Sequence, residues 1–292
     1  MNDAHNSNTK SNGYRSAFWH QFTKNKIGVA CSIYLIIVFL AVIFAPAILP
    51  YQYDEMIMED SLQAPNAKHW LGTDESGRDM LTRIIYGGRI SLLVGIVSTG
   101  ITILIGLPLG LLAGFYGGKV QFVIMRIMDM LQTFPNILLA LVVIAILGRG
   151  TYQVMVAVGI ANIAAFTRVV NSAVIACKES EYLTAARCLG AKDSRLMFRH
   201  IFPNITAQII VMATLYIASG LLAASSLSFL GLGAQPPSPE WGSLISRGRQ
   251  QIRQATWLVN YPGLMIVSVV VSFNMIGDAL RDALDPFIRN RG

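Results

Sequence analysis

Six apolar segments, each long enough to cross a lipid bilayer, dominate this sequence. A bilayer core about 30 Å thick requires roughly 20 apolar residues in an α-helix. Inside lipid the backbone polar groups must be satisfied within the protein, which favours helices for segments of this length. We predict membrane spans at about residues 27–49, 90–116, 127–147, 151–175, 205–230 and 258–280. The fold class is therefore predicted to be all-α, a polytopic membrane helix bundle with six transmembrane helices.

The composition excludes other classes of protein. Only 13% of the 292 residues are charged and 53% are hydrophobic, whereas soluble domains carry about 25% charged residues. A soluble enzyme and a disordered protein are both excluded. The net charge is +7, but no window combines dense Lys and Arg with aromatic residues. We therefore predict contact with the lipid bilayer and no contact with nucleic acid.

The residues needed for catalysis or metal binding are not arranged in any recognisable pattern. The three cysteines and four histidines are scattered, without the spacing of metal ligands or of a disulfide framework. Neither a phosphate-binding loop nor a nucleophile motif is present. We predict that this chain has no catalytic residue, binds no metal and no cofactor itself, and is not an enzyme.

The distribution of basic residues predicts the orientation. With the amino terminus in the cytoplasm, 15 Lys and Arg fall on the cytoplasmic side and 8 on the other. Positive charge marks the inside, so both termini are expected to be cytoplasmic. The first apolar stretch is longer than a secretory signal and predicts an uncleaved anchor. We divide the chain into a cytoplasmic tail (1–26), a first span with an extracytoplasmic loop (27–88) and a five-helix core (89–292).

Small residues mark the expected helix contacts. Gly106, Gly110 and Gly114 recur every four residues in the second span, and Gly220 begins a similar small-residue face in the fifth. Such residues let helix backbones approach closely in lipid. Pro135 is expected to kink the third span.

One charged pair lies within the third span. Asp129 follows Arg126 by three residues, so both side chains should share a helix face and form an intramembrane ion pair. We favour an ion pair near the inner interface that fixes helix depth; a contact with the transported solute is the alternative. Arg168 is expected to extend toward the inner face.

The segment between the fourth and fifth spans (178–204) carries the most information. It contains two short helical patterns joined by Gly190 and closed by Pro203, and either Asp193 or Ser194 could cap the second. Apolar side chains recur along both patterns, namely Tyr182, Ala185, Ala186 and Leu189 in the first and Leu196, Met197, Phe198 and Ile201 in the second. Exposed apolar side chains indicate that a partner covers them; an amphipathic hairpin lying on lipid is the alternative.

This hairpin resembles the "EAA" coupling motif of ABC importer permeases. The matching positions are Ala185, Ala186, Gly190 and Pro203. The sequence departs from the motif at Thr184, where Glu is usual, and at His200 and Phe202, where aliphatic residues are usual.

Four further segments, at 71–95, 125–141, 226–242 and 277–286, resemble the dipeptide/oligopeptide/nickel permease family, in particular its C-type subunit. The resemblance runs from about Trp19 to Pro286. It implies the type I ABC importer permease fold with a cytoplasmic coupling-helix hairpin.

The resemblance also implies partners and site residues. A second homologous permease subunit would form a heterodimer with this chain, two ABC ATPase subunits would bind ATP and Mg, and an extracytoplasmic solute-binding protein would dock on the loops at 50–89 and 234–241. The residues expected in a groove of the ATPase are Tyr182, Ala185, Ala186, Gly190, Leu196 and Phe198. The expected location is the bacterial cytoplasmic (inner) membrane.

The solute and two other functional classes stay open. Di- and oligopeptides are the expected solutes, with nickel, metal chelates and glutathione as alternatives within the same machinery. An autonomous channel or ion-coupled carrier would show charged rings or paired broken helices with internal repeats, and an intramembrane enzyme would need a nucleophile or a metal site. The sequence shows none of these patterns, and a carrier would not need the cytoplasmic hairpin.

Overall fold

The computed structural model describes residues 19–284. Most of the predicted tail 1–26 and the end of the 277–286 motif lie outside the described residues. The principal helices are α1 (Lys26–Ile43), α2 (Met80–Tyr116), α3 (Gly118–Gln132), α4 (Asn136–Leu147), α5 (Thr151–Lys178), α6 (Glu181–Cys188), α7 (Phe202–Phe229), α8 (Trp241–Gly248) and α9 (Trp257–Leu284). Short helical turns lie at 19–24, Ala45–Ile48, Met58–Asp60, Asp193–Arg195 and Arg249–Gln251, and Leu196–Ile201 forms a π-helical turn directly before α7. The described residues contain no strand beyond one isolated bridge between Thr73 and Asp79.

The predicted all-α membrane bundle is confirmed. Four helices (α1, α2, α5 and α9) and the continuous helical segment Asp193–Phe229 are each long and apolar enough to cross a bilayer. A sixth span exists if α3 and α4, which are bent by 88° relative to each other, are counted together. Pro135 causes the break because it lacks an N–H and disfavours helical backbone at the residue before it. The expected kink is thus a full interruption.

The second helix is longer than the apolar pattern predicts. α2 begins at Met80, ten residues before the predicted span, and its 37 residues correspond to about 55 Å. Asp79 fixes this start, since its side chain accepts a hydrogen bond from the Thr82 amide at 2.8 Å. Its first turns therefore belong to the loop region before the bilayer.

Close backbone contact joins α2 to α5, the most extensive helix pair in the fold. A Cβ atom added at Gly110 would lie 2.6 Å from Cβ of Val170, and one at Gly114 would lie 2.6 Å from Cβ of Val174. Gly106 approaches α5 in the same way, with an added Cβ 2.8 Å from the nearest side-chain atom. These three glycines form the glycine seam, in which no larger residue fits without displacement.

The fourth predicted packing glycine lies between α7 and α2. A Cβ at Gly220 would be 2.8 Å from Oγ of Ser98. On the facing helix, a Cβ at Gly95 would be 3.1 Å from the carbonyl oxygen of Ile217. α2 is therefore in close contact with helices on two sides.

The loop between α1 and α2 has a polar core. His69 is completely buried, and its ring nitrogens lie 2.9 Å from Oδ1 of Asp79 and 3.3 Å from Oδ2 of Asp60. Lys68 pairs with the same Asp60 carboxylate. The Trp257 indole donates to the Thr73 carbonyl at 3.1 Å, which attaches the loop to α9.

The segment after α7 returns into the bundle through α8. Trp241 is fully buried and its indole N–H donates to the Ile84 carbonyl at 2.8 Å. The Glu240 carboxylate caps α8 by accepting from the amides of Gly242 at 3.0 Å and Ser243 at 2.9 Å. Burial raises the pKa of Glu240.

The glycine seam can be tested with one matched pair of variants. Gly110→Ala places a Cβ against α5 and should destabilise the subunit by about 1–3 kcal/mol. Gly100→Ala lies in the same helix, where an added Cβ meets nothing within 4 Å, and should be neutral or slightly stabilising. Thermal unfolding in detergent compares the two, and equal midpoints would contradict the seam.

The polar loop should respond to pH. Hydrogen bonds from Lys68 and His69 hold the pKa of the Asp60 carboxyl below its usual value. The stabilisation from the charged carboxylate is therefore complete above the usual pKa of about 3.9 and is lost as pH falls through the lowered value. Asp60→Asn should lower the unfolding midpoint at pH 7, and its difference from wild type should shrink below about pH 4.

Glu59→Gln is the control, because it removes a neighbouring exposed carboxylate. A difference between Asp60→Asn and wild type that does not vary with pH would contradict the role of the charged carboxylate.

Candidate functional site

The hairpin is anchored where α5 ends. Lys178, the last residue of α5, donates from Nζ to the Phe115 carbonyl of α2 at 2.6 Å. Two residues later the Ser180 hydroxyl donates to the Cys177 carbonyl at 2.7 Å, immediately before α6 begins. The first arm of the hairpin is thus tied to both helices of the glycine seam.

Gly190 forms the turn between the two arms. Its φ is +82°, a region that residues with a Cβ adopt only at a cost. The Gly190 amide bonds to the Arg187 carbonyl at 3.0 Å, and the Ala191 amide bonds to the Ala186 carbonyl at 3.1 Å. This pair of bonds is a Schellman motif, which fixes the direction in which the chain leaves α6.

The second arm differs from the predicted short helix. Lys192, rather than Asp193 or Ser194, occupies the N-cap position, without a side-chain cap. The helix also continues through Pro203 into α7, so the expectation that Pro203 closes the hairpin is wrong. The Phe202 amide bonds to the Met197 carbonyl five residues back, and this π-helical register ends just before the proline, which has no N–H to contribute.

The inner face of the hairpin packs against the bundle. Leu183 from α6 and three residues of the second arm are buried in one cluster that includes Phe115 and Val174; the three are Leu196, Met197 and Ile201. Leu196 is only 2% exposed. The prediction that Leu196, Met197 and Ile201 are presented to solvent is therefore wrong, because the two arms close on the ends of α2 and α5.

The outer face retains large apolar side chains in solvent. Leu189 is 89% exposed, Phe198 is 64% exposed and Tyr182 is 45% exposed. Ala185 and Gly190 are exposed beside them, whereas Ala186 is half-buried. Four exposed basic residues belong to the same segment: Arg187, Lys192, Arg195 and Arg199. We call this surface the hairpin face.

Tyr182 connects the arms of the hairpin. Its hydroxyl accepts a hydrogen bond from the side-chain amide of Asn204 and lies 3.7 Å from the Cys177 sulfur. Its ring centroid is 6.3 Å from that of His200. Burial, together with the contact with Cys177, raises the pKa of the Tyr182 phenol. Three segments therefore meet at one side chain.

The predicted ion pair within α3 is wrong. The partner of Asp129 is Arg168 of α5, whose Nη2 lies 2.5 Å from Oδ1 of Asp129. This contact between α3 and α5 replaces the expected pair of Asp129 with Arg126. The sequence contained a signal for this, since an Arg and an Asp in separate membrane segments can neutralise each other.

The described residues provide no group of three His, Cys, Asp or Glu side chains that could hold a metal ion. The prominent features of the fold are a membrane bundle and a rigid hairpin with an exposed apolar face. Together they agree with the type I ABC importer permease fold that the sequence resemblance implies.

The comparisons with known proteins agree. Residues 106–290 match the family described as binding-protein-dependent transport system inner membrane component, and residues 13–65 match the N-terminal TM domain of oligopeptide transport permease C. The chain belongs to this family of inner membrane components and is a multi-pass membrane protein.

Its relatives are similar over almost their whole lengths. The chain is 46% identical to the dipeptide transport system permease protein DppC of Alkalihalophilus pseudofirmus, covering 95% of this chain and 91% of that protein. It is 42% identical to the di/tripeptide transport system permease protein DppC of Pseudomonas aeruginosa, with 94% and 92% covered. It is also 42% identical to the glutathione transport system permease protein GsiD of Pectobacterium atrosepticum, with 94% and 91% covered.

A solved structure shares the fold. A chain of the MetNI methionine ABC transporter in an inward-facing conformation superimposes with a TM-score of 0.58 at 19% identity, covering 70% of this chain and 98% of that chain. At this identity the similarity concerns the fold alone.

The turn at Gly190 makes a specific prediction. Because an added Cβ meets nothing within 4 Å, Gly190→Ala should act only through its positive φ and weaken the turn by about 1 kcal/mol. Gly190→Asn should cost less, since Asn tolerates this conformation better. Hydrogen exchange at the Ala191 amide measures how far each variant weakens the turn. Equal protection of this amide in Gly190→Ala and Gly190→Asn would contradict the role of the positive φ.

Proposed function

We propose that this chain is the permease subunit of an ATP-driven, binding-protein-dependent importer and forms half of the pathway for di- and oligopeptides. The family match supports the transport role, and two of the relatives described above are named for di- or tripeptides. The relative named for glutathione makes that solute the alternative, and it too is a short peptide with free carboxylates. On this proposal the chain itself catalyses no reaction.

The observation that carries the proposal is the hairpin face. Leu189 is almost fully exposed at the tip of a rigid turn, and an apolar side chain in that position is costly unless a partner covers it. We assign the partner as an ABC ATPase subunit, one of two, which would bind the ATP and Mg. This chain would bind no cofactor. A second homologous permease subunit would complete a heterodimer.

The connections of the hairpin support its role as a lever. Its first arm follows α5 after two residues, and its second arm runs into α7 without interruption. α5 is in turn locked to α2 by the glycine seam. A displacement of the hairpin by ATPase closure would therefore move three spans together, shifting the bundle between two states.

The proposed orientation follows from the charges. Basic residues cluster around the hairpin and should face the cytoplasm with both termini, in the bacterial inner membrane. The polar loop around His69 and the segment 234–241 would then face outward, where a solute-binding protein delivers its cargo. The division into tail (1–26), first span with loop (27–88) and core (89–292) follows the same assignment.

The ATPase assignment can be tested at the tip of the hairpin. Leu189→Glu adds a charge to an exposed side chain with few internal contacts. Burying that charge against a partner is unfavourable, so we expect at least a tenfold loss of ATPase co-purification with unchanged stability of the subunit. Quantitative mass spectrometry of the gently solubilised, tagged complex gives the measurement.

Met56→Glu is the matched control. Met56 is also a largely exposed apolar side chain, 57% exposed, but it lies in the loop before α2. This variant should retain its ATPase subunits. Normal ATPase recovery and peptide uptake by Leu189→Glu would contradict the proposed docking site, and a wild-type complex that contains no ATPase would contradict the importer itself.

A further inference from the structure

One face of α5 is open although the opposite face forms the glycine seam. Phe166, Val170 and Val174 are buried in the apolar cluster formed by α2, α5 and the inner face of the hairpin. The open face carries residues at the spacing of a single helical stripe, of which the first two are half-buried and the other four exposed: Asn162, Ala165, Arg168, Val169, Ser172 and Ala176. Three of these six are polar, which is unusual for a surface in contact with lipid tails.

Two polar pairs connect this stripe to α3 and α4, the two helices on either side of the Pro135 break. Arg168 and Asp129 form an ion pair at 2.5 Å, with their side chains 47% and 50% exposed. The Asn136 amide group lies 3.4 Å from the side-chain oxygen of Asn162. Arg168 is ten residues from the end of α5, about 15 Å along the axis, and thus well inside the span. A half-exposed ion pair at this depth is too costly to face hydrocarbon.

The interruption between α3 and α4 lies on the same surface. Asp129 precedes it by one turn and Asn136 follows it directly, so residues 133–135 lie beside the middle of α5. These three residues are exposed and non-helical or turn-like. Such backbone is tolerated at membrane depth only where protein covers it or a water-filled cavity adjoins it. The ion pair, the amide pair and the break therefore mark one surface that protein or water, and not lipid, must cover.

We infer that this surface lines the solute pathway and that the Arg168–Asp129 pair receives the two charged ends of a peptide. The inference deepens the proposed function and rests on it. A guanidinium binds a carboxylate with two parallel hydrogen bonds, so Arg168 meets the peptide carboxylate and Asp129 meets the peptide ammonium. Without solute the two side chains neutralise each other, and neither charge is left unpaired.

The first test measures hydration of the surface without relying on transport. Ser172→Cys is introduced into a transport-competent background in which Cys31, Cys177 and Cys188 are replaced. The assembled importer in liposomes is treated with a cationic methanethiosulfonate reagent, with and without trapped nucleotide. The reagent reacts with the thiolate, and apolar surroundings disfavour thiolate formation. Ser172→Cys should therefore react at least tenfold faster in one of the two states than the control Leu104→Cys.

Leu104 is a suitable control because it is 76% exposed on α2, where the apolar surroundings indicate lipid contact. If neither Ser172→Cys nor Leu104→Cys reacts, with or without trapped nucleotide, the inference is overturned. The stripe would then be covered by lipid or by the partner permease. This result would leave the importer assignment intact.

The second test separates solute contact from a structural ion pair. Arg168→Gln and Asp129→Asn should each lower peptide uptake at least tenfold. The charge-swapped double variant Arg168→Asp with Asp129→Arg restores the attraction between the two side chains. It also exchanges the positions of the positive and negative charges that the peptide ends would meet. We expect it to recover normal assembly with the ATPase while uptake stays at least tenfold below wild type.

Recovery of uptake in the swapped variant would overturn the solute role and leave a purely structural pair. So would wild-type uptake in both single variants. Failure of the proposed function is distinguishable, because a wild-type importer would then take up no peptide, whatever the reactivity of Ser172→Cys.

Discussion

The close approach of α2 and α5 at the glycine seam is the contact on which the rest of the architecture depends. Without a hydrophobic effect between helices in lipid, association relies on packing and hydrogen bonds. Gly106, Gly110 and Gly114 let the backbones meet, and Thr102 adds a hydrogen bond to the Gly159 carbonyl at 2.9 Å. This contact fixes two other parts of the fold, the hairpin and the orientation of α5.

At one end the seam supports the hairpin, because Lys178 and the Phe115 carbonyl join the ends of α5 and α2. Elsewhere it fixes the orientation of α5, so that the polar stripe with Arg168 must face away from α2. A rotation of α5 by half a turn would bury the charged pair in the seam and expose Phe166. The position of the hairpin and the exposure of the polar stripe are in this sense two consequences of one helix contact.

The sequence predicted much of the site and misplaced part of it for identifiable reasons. Gly190 was expected at the turn, and its Schellman geometry fits that expectation. Leu196 was expected in solvent because helical periodicity alone does not reveal which apolar face a tertiary neighbour covers. Asp129 was paired with Arg126 because spacing along one helix is readable, whereas a partner on another helix is not. Pro203 was expected to end the hairpin, but the π-helical turn before it continues directly into α7.

The sequence by itself determined that the chain is an all-α, multi-pass membrane bundle, because bilayer thickness and backbone hydrogen bonding leave few alternatives for long apolar stretches. Only the tertiary structure decided which faces meet. It paired Asp129 with Arg168, buried Leu196, left Leu189 exposed and split the third span by 88°. The physical reason is that helix rotation and neighbour choice depend on contacts between residues far apart in the chain.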